Sequence, residues 1–433
     1  MLKLKQISKK YPKLITWLLR IAIGSTFIIS GLSKIIDVWG FVYKIEQYLA
    51  VWGIEITRPI ITITAITLSA IEFIIGIFLA TGCYRRCATW FATLIMSIML
   101  PFSLYLTIAN PVDNCGCFGD FWVISNLSTF IKNIIITLCL IYLCKYNKFT
   151  PSLFNNKAHW FVFCLSYIYI IFIGFIGYNV QPLIDFRQYK EGSPIINNND
   201  SPNNFKYQFI YEKDGNRQQF NIENLPDSTW TYIDRIDLND NNIQSNSIVI
   251  YDMDDNNVTN ELFSNSEEQI ILLIPELKYA DISYSYLMNE MYNYITTIGG
   301  NMIGIFAHND KNGIERWADI SLAQWPKYVA DDTIIKELAR GKISVVYLKN
   351  GIIEWKRTLS SIPSNIFSNN NDKHILNKLY IYGHTQFFII TTIFISLLLV
   401  ILLFNWVRNI VKSKFYRKNK KKNVTLQNEN NIE

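Results

Sequence analysis

Six long apolar runs constrain this chain more than any other feature: residues 14–33, 59–81, 87–109, 127–144, 159–181 and 386–406. A bilayer core of ~30 Å needs about 20 apolar residues per helix. Its lack of water forces backbone polar groups to pair within helices or closed barrels. Each run is long enough to cross as a helix. Five of them crowd the N-terminal part, and the sixth stands alone near the end. The chain is half hydrophobic, with a mean hydropathy of +0.14 over 433 residues. Its apolar residues are blocked, not dispersed as in a soluble domain. Between the fifth and sixth runs, 182–380 is polar, Asn-rich and charged. This stretch is expected to fold in water.

Lys and Arg placement sets the expected orientation. The N-terminus carries Lys3, Lys5, Lys9, Lys10 and Lys13. Arg85 and Arg86 join the second and third runs, and Lys145, Lys148 and Lys157 join the fourth and fifth. The tail after the sixth is basic from Arg408 to Lys422. If every run spans, all four segments fall on one side. That predicts a bacterial inner-membrane protein, with both termini cytoplasmic and 182–380 periplasmic. A cleaved signal peptide is the alternative for the first run, on its basic start and Ser30-Gly31. It is disfavoured because the run is long and no clear cleavage site follows. The net charge of +6 gathers in the tail and cytoplasmic loops, so the expected partner is the lipid bilayer and not nucleic acid.

Chemistry-bearing residues are few. Cys115 and Cys117 lie in Asn114-Cys115-Gly116-Cys117-Phe118-Gly119-Asp120, between the third and fourth runs. The other five cysteines lie in or near predicted spans, and 182–433 contain none. Two thiols one residue apart suit redox cycling, since a C-x-C disulfide closes a short ring and strained disulfides are the labile ones. The other reading is a static crosslink or a loop cap. A metal pair is disfavoured: two ligands do not close a site and no His lies in the loop. Asp113 and Asp120 are expected to raise the thiol pKa values, with no base nearby in sequence. Glu72, deep in the second run, is costly in lipid. It reads either as a proton- or quinone-site carboxylate or as a buried lock between helices, with Arg20 or Lys34 as its partner. A solute channel lined near Glu72 is a third, weaker reading.

Residues 37–52 place Phe41, Ile45, Tyr48, Leu49 and Trp52 at helical spacing. They form either an interfacial helix or one packed on the bundle. Residues 182–204 read as a linker with little core, and Tyr207–Glu212 with Gln218–Ile222 as a hairpin turning at Asp214-Gly215. Further on, strands are predicted at Ser247–Tyr251, Gln269–Ile274, Asn301–Ala307, Ile343–Leu348 and Ile352–Lys356. Helices are predicted at Ala280–Ile298, Ile314–Ile320 and Asp332–Ala339. Together they make an α/β sandwich around a mixed sheet.

Ser30-Gly31-Leu32-Ser33-Lys34, Glu72-Phe73-Ile74-Ile75-Gly76, Asn114-Cys115-Gly116-Cys117-Phe118-Gly119 and Phe130-Ile131-Lys132-Asn133 together resemble the DoxX/MauE group of membrane proteins. The resemblance covers about the first 150 residues, and the Cys-Gly-Cys-Phe-Gly element is its most specific part. It implies membrane redox homeostasis, thiosulfate or quinone chemistry, or maturation of a partner through periplasmic disulfides. Residues 246–365 resemble a thioredoxin-like domain. Pro275-Glu276-Leu277-Lys278-Tyr279 stands where redox-active members carry C-x-x-C, and Ile343-Ser344 where they carry a cis-proline. The layout is similar to Bacteroidetes-type DoxX family proteins.

The expected architecture is therefore a multi-pass α-helical membrane bundle plus an α/β thioredoxin-like extracytoplasmic domain. Its expected parts are a four-helix domain at 1–150, a fifth transmembrane helix at 151–181, a linker and β-hairpin region at 182–245, the thioredoxin-like domain at 246–365, a sixth helix at 382–408 and a basic cytoplasmic tail at 409–433. Two functions stand. In one, a thiol-disulfide or quinone-linked oxidoreductase component uses Cys115, Cys117 and Glu72, with no evident cofactor beyond a membrane quinone. In the other, a non-enzymatic scaffold binds an extracytoplasmic client protein.

Overall fold

A computed structural model describes residues 2–112, 114–147, 151–196, 207–213, 216–221, 231–237, 248–264, 267–307, 310–367 and 374–429. The chain forms two compact units, Met1–Phe186 with Ile381–Glu433, and Arg187–Tyr380.

The first unit is helical: α1 Leu2–Ile36, α2 Val38–Val51, α3 Arg58–Thr81, α4 Arg85–Ala109, α5 Asn126–Tyr146, α6 His159–Asn179 and α12 Gly383–Glu429, the last numbered by its place in the chain. Among the described residues, six segments are long and apolar enough to cross a membrane: Lys13–Ile36, Arg58–Thr81, Arg85–Ala109, Asn126–Tyr146, Asn156–Asn179 and Ile375–Val411. The basic tail is not separate from the last span, because α12 runs unbroken to Glu429. Its sequence offers neither Gly nor Pro after Gly383 to stop a helix.

Close approach of α1 to α3 organises this unit. A Cβ on Gly31 would lie 2.5 Å from the Phe73 nitrogen, and one on Gly76 would lie 2.6 Å from the Ile28 nitrogen. Only glycine permits that backbone separation, the usual device where lipid gives helices no hydrophobic reason to associate. Phe73, Ile77, Ile35 and Ile36 then pack with Val162, Ile170 and Ile173 of α6. Of the two readings of 37–52, packing on the bundle is the one observed. Val38, Trp39 and Val42 are buried, and Phe41, Ile45 and Leu49 pack on the same cluster. Arg58 grips Glu46 through Nε–Oε1 at 2.7 Å and Nη2–Oε2 at 3.0 Å, which fastens α2 to the start of α3.

The second unit holds two sheets. The smaller is antiparallel in the order β2-β1-β3, from β1 Tyr207–Lys213, β2 Asn216–Asn221 and β3 Thr231–Asp237. The hairpin strands occur where sequence places them, and Asp214-Gly215 lies outside the described residues. The larger sheet contains β4 Ile250–Tyr251, β5 Glu268–Ile274, β6 Asn301–Ala307, β7 Lys327–Ala330, β8 Ser344–Lys349 and β9 Ile352–Thr358, ordered β4-β7-β6-β5-β8-β9. Strands β5, β6 and β7 run parallel; β8 opposes β5, and β9 opposes β8. The central strand β5 is buried on both faces, as its run Ile270–Ile274 requires. Around the sheet lie α7 Thr259–Ser264, α8 Ser285–Thr297, α9 Lys311–Ser321, α10 Asp332–Leu338 and the short α11 Ile375–Lys378. Trp317, Trp325, Trp355 and Phe367 fill one face.

Three details differ from the sequence reading. The helix expected from Ala280 begins at Ser285, because the Asp281 side chain accepts from the Ser283 N–H and tightens the first turn. Strand β7 and helix α7 were not expected; both are too short for a periodicity to register. Residues 187–196 are not bare linker: Tyr189 and Ile195 are buried against the second face of the sheet. The buried Lys356 ammonium donates to the Tyr189 carbonyl at 2.6 Å and the Leu338 carbonyl at 3.1 Å, holding this segment down.

Candidate functional site

The Gly31 contact sets two neighbouring residues of α1, Ser30 and Lys34, against Glu72 of α3. Lys34 Nζ lies 2.8 Å from both carboxylate oxygens, and the two side chains are only 5% and 14% exposed. Arg20, the other sequence candidate, sits elsewhere. Its guanidinium donates to the Leu79 carbonyl at 3.0 Å and the Pro151 carbonyl at 3.4 Å, at the far end of α3. Seven residues of helix rise, about 10 Å, separate Leu79 from Glu72.

Ser30 carries the connection to the thiols. Its Oγ is 2.7 Å from Glu72 Oε2 and 2.8 Å from the Cys117 carbonyl oxygen, and it accepts from Lys34 at 3.3 Å. A hydroxyl has one proton, so Ser30 serves the carboxylate or the loop carbonyl in turn. The loop is held in place at both ends. Asn126, at the start of α5, donates to Asn110 Oδ1 at 2.9 Å and the Val112 carbonyl at 2.8 Å. Asn114 bridges Ser125. Between the thiols, Gly116 adopts φ +66°, a left-handed conformation that favours glycine. The Gly119 N–H closes a turn on the Gly116 carbonyl at 3.0 Å.

Cys115 and Cys117 are free thiols with sulfurs 2.8 Å apart. Cys115 is 5% exposed, packed with Leu106 and Val112. The pair is asymmetric. The contact with Cys117 and then burial push Cys115 well above the ordinary thiol value. Cys117 is held below it, first by the hydrogen bond from Cys115, then, against desolvation and the Glu72 charge, by Lys132 and Lys34. Tyr48 of α2 donates to the Cys115 carbonyl at 2.7 Å; burial first, then the nearby sulfurs, push its hydroxyl upward, so it remains a donor.

Of the three residues singled out in sequence, Cys117 and Glu72 meet at Ser30, and Cys115 joins them through the Cys117 sulfur. Lys132, named in sequence only within the Phe130–Asn133 element and given no role, lies over the Phe118 ring at 4.3 Å. No base stands near the thiols in sequence, and the fold supplies two cations from a distance: Lys34 of α1 and Lys132 of α5. Asp113 lies outside the described residues. The signal for Lys132 was available, since an ionisable residue inside an apolar run points to a site by default. A cavity of about 40 Å³ opens beside Cys117, with Lys34, Lys132, Glu72 and Ser30 at its polar end and Phe27, Met96, Met99 and Ile136 along its wall. That is room for a few water molecules. Among the described residues, no group of three or more His, Cys, Asp or Glu is placed to hold a metal ion.

The bundle and its charged, thiol-bearing site define a membrane protein of several spans. Residues 12–146, the first four spans with the thiol loop, match the family model of methylamine utilisation protein MauE. Residues 205–238, which contain the three-stranded sheet, match a domain of unknown function (DUF8463). No curated protein and no solved structure matches the chain.

Proposed function

We propose that this chain is a membrane thiol-exchange component of the DoxX/MauE type, acting on an extracytoplasmic client through Cys117 and Cys115. The observation that carries this reading is the asymmetry of the pair: two sulfurs 2.8 Å apart, Cys117 held below its ordinary pKa first by the Cys115 contact and then by Lys132 and Lys34. A thiolate is the attacking species in exchange. Cys117 attacks a client disulfide and releases one client sulfur as a thiolate, which takes up a proton. Cys115 then gives up its proton and attacks the mixed disulfide. The products are a Cys115–Cys117 disulfide and a client dithiol: two electrons move and the bonds balance. The proton given up by Cys115 goes to the second client sulfur as it leaves; Glu72, tied by Ser30 to the Cys117 carbonyl, is the proposed proton store beside the pair. The reverse sequence oxidises a client. No step here runs through a quinone.

In this reading the chain sits in a bacterial inner membrane with both termini cytoplasmic, as the lysine and arginine distribution supports. The strand order β6-β5-β8-β9, with β5 and β6 parallel and β8 and β9 reversing, supports a thioredoxin-like fold for the second unit. Lacking cysteine, that unit recognises the client and does not react with it. A scaffold with structural thiols is the competing reading, favoured by the burial of Cys115.

The test is the redox state of the pair in intact cells. A membrane-impermeant mass tag is applied to a variant retaining only Cys115 and Cys117, with and without mild reductant. A mixed population that shifts with reductant, and a client-linked adduct trapped by Cys115→Ser, are expected. A pair that is permanently oxidised and reductant-resistant, or never oxidised, refutes exchange and leaves the scaffold.

A further inference from the structure

The end of the bundle opposite the thiols carries a second cavity, which the thiol chemistry does not use. It measures about 830 Å³ and is lined by Gly82, Tyr84, Arg85, Arg86 and Cys87 on one side and by Pro151, Ser152, Phe154, Asn155, Asn156 and His159 on the other. No carboxylate lines it, and the sequence from 73 to 112 and from 121 to 184 contains no Asp or Glu. Arg20, only 1% exposed, adds a third guanidinium beneath Gly82 and close enough to oppose the charge of Arg85.

The wall is rigid. His159 Nδ1 accepts from the Tyr84 N–H at 3.5 Å, while its Nε2 lies 3.1 Å from Ser152 Oγ and 3.2 Å from the Phe154 carbonyl. The imidazole is thereby spent on joining the two sides and is not a ligand. The Asn155 amide donates to Asn409 Oδ1 at 3.3 Å, so the ligand-facing groups are the Arg85 and Arg86 guanidiniums and the Asn156 amide. Two helices, α4 and α6, also begin at this cavity, and neither has a side-chain cap. Their dipoles add to the positive field.

Two guanidiniums, a carboxamide donor and an acid-free wall suit a phosphate group. One turn away, Trp90, Phe91, Trp160 and Phe161 are all strongly exposed on the apolar helix faces. Tryptophan in such a position marks the headgroup level of a bilayer. We propose that this cavity binds a phosphate group, supplied by the headgroup of an anionic phospholipid with its acyl chains along the Trp90 and Trp160 faces. This assignment stands independently of the thiol reading.

The test uses the full chain, purified in detergent and stripped of lipid. Thermal unfolding is followed on titration with phosphatidylglycerol, with phosphatidylcholine of the same acyl chains, and with inorganic phosphate alone. Phosphatidylglycerol is expected to raise the unfolding midpoint more than phosphatidylcholine does. Arg85→Gln/Arg86→Gln should weaken it about 10- to 30-fold, at roughly one lost charge contact per arginine. Arg85→Lys/Arg86→Lys should retain most of the effect. If the double glutamine variant does not fold, Arg86→Gln alone carries the test, Arg86 being exposed. A variant-sensitive shift with inorganic phosphate equal to that with lipid upholds phosphate binding but makes the source a soluble ion. Equal stabilisation by the two lipids, or undiminished phosphatidylglycerol binding by the variants, overturns the proposal.

Discussion

Lys34→Met is the sharpest probe of the charged site. Lys34 and Glu72 meet at 2.8 Å with side chains 5% and 14% exposed. The substitution keeps the volume and removes one charge, leaving the Glu72 carboxylate in a low-dielectric bundle with the Ser30 hydroxyl. Breaking a buried pair by removing one partner costs ~3–5 kcal/mol, whereas replacing both partners with apolar groups of similar size is often neutral. The expectation is therefore a loss of about 3–5 kcal/mol for Lys34→Met and recovery to within ~1–2 kcal/mol of the parent in Lys34→Met/Glu72→Met. The assay is denaturant unfolding of the full chain in detergent micelles, with the four-member cycle measured under one condition. A single substitution costing under ~1 kcal/mol, or a double variant whose loss equals the sum of the singles, would refute the argument that the two charges are held for each other.

The thiol pair and the second unit give two further tests. Because Cys117 is held below the ordinary thiol value, its thiolate persists as pH falls, and alkylation by a small reagent should stay fast to lower pH than for a free thiol at ~8.5. The rate should drop only as pH passes down through the lowered value. Lys132→Gln removes one cation and should move that drop to higher pH; a profile with an ordinary midpoint in both proteins would contradict the assignment. Lys356→Met strips the Tyr189 and Leu338 carbonyls of their buried donor. It should cost about 1–3 kcal/mol, with faster hydrogen exchange across 187–196; unchanged exchange there would show that the lysine does not hold the segment.

The spans were legible because a bilayer leaves an apolar helix few alternatives; five of the six observed spans end within three residues of the apolar runs, and the last, Ile375–Val411, reaches further at both ends. Cys115, Cys117 and Glu72 stood out for a related reason: polar chemistry is scarce in such a chain, so each instance signals. What could not be read was rotation and register. Choosing Lys34 over Arg20 as the partner of Glu72 depends on which turn of α1 faces α3, and Gly31 and Gly76 decide that through a backbone contact with no periodicity of its own. Lys132 reaches the thiols only because α5 presents that turn to the loop. In the second unit the strands of the larger sheet announced themselves as apolar runs, whereas Tyr189 and Ile195 were masked by the Asn-rich composition around them.

The chain leaves the membrane unit after Phe186 and rejoins it at Ile381. Both crossings meet within that unit: Gly383 lies so close to the Leu183 carbonyl that a Cβ there would fall 2.7 Å from it. Everything between is a loop of roughly 200 residues whose ends are pinned together. Pinning a floppy loop of that length costs on the order of 4–5 kcal/mol, and an unfolded stretch of that size spreads over a radius of gyration of about 47 Å. Once the inserted unit has folded, that entropy has already been given up. The last helix, reaching Thr391 to the Tyr169 hydroxyl at 2.9 Å, then docks with little further loss. Assembly of the membrane unit is in this way coupled to the insert: its final helix docks at less entropic cost once 187–380 has folded, so a folding defect there is expected to weaken the seating of that helix.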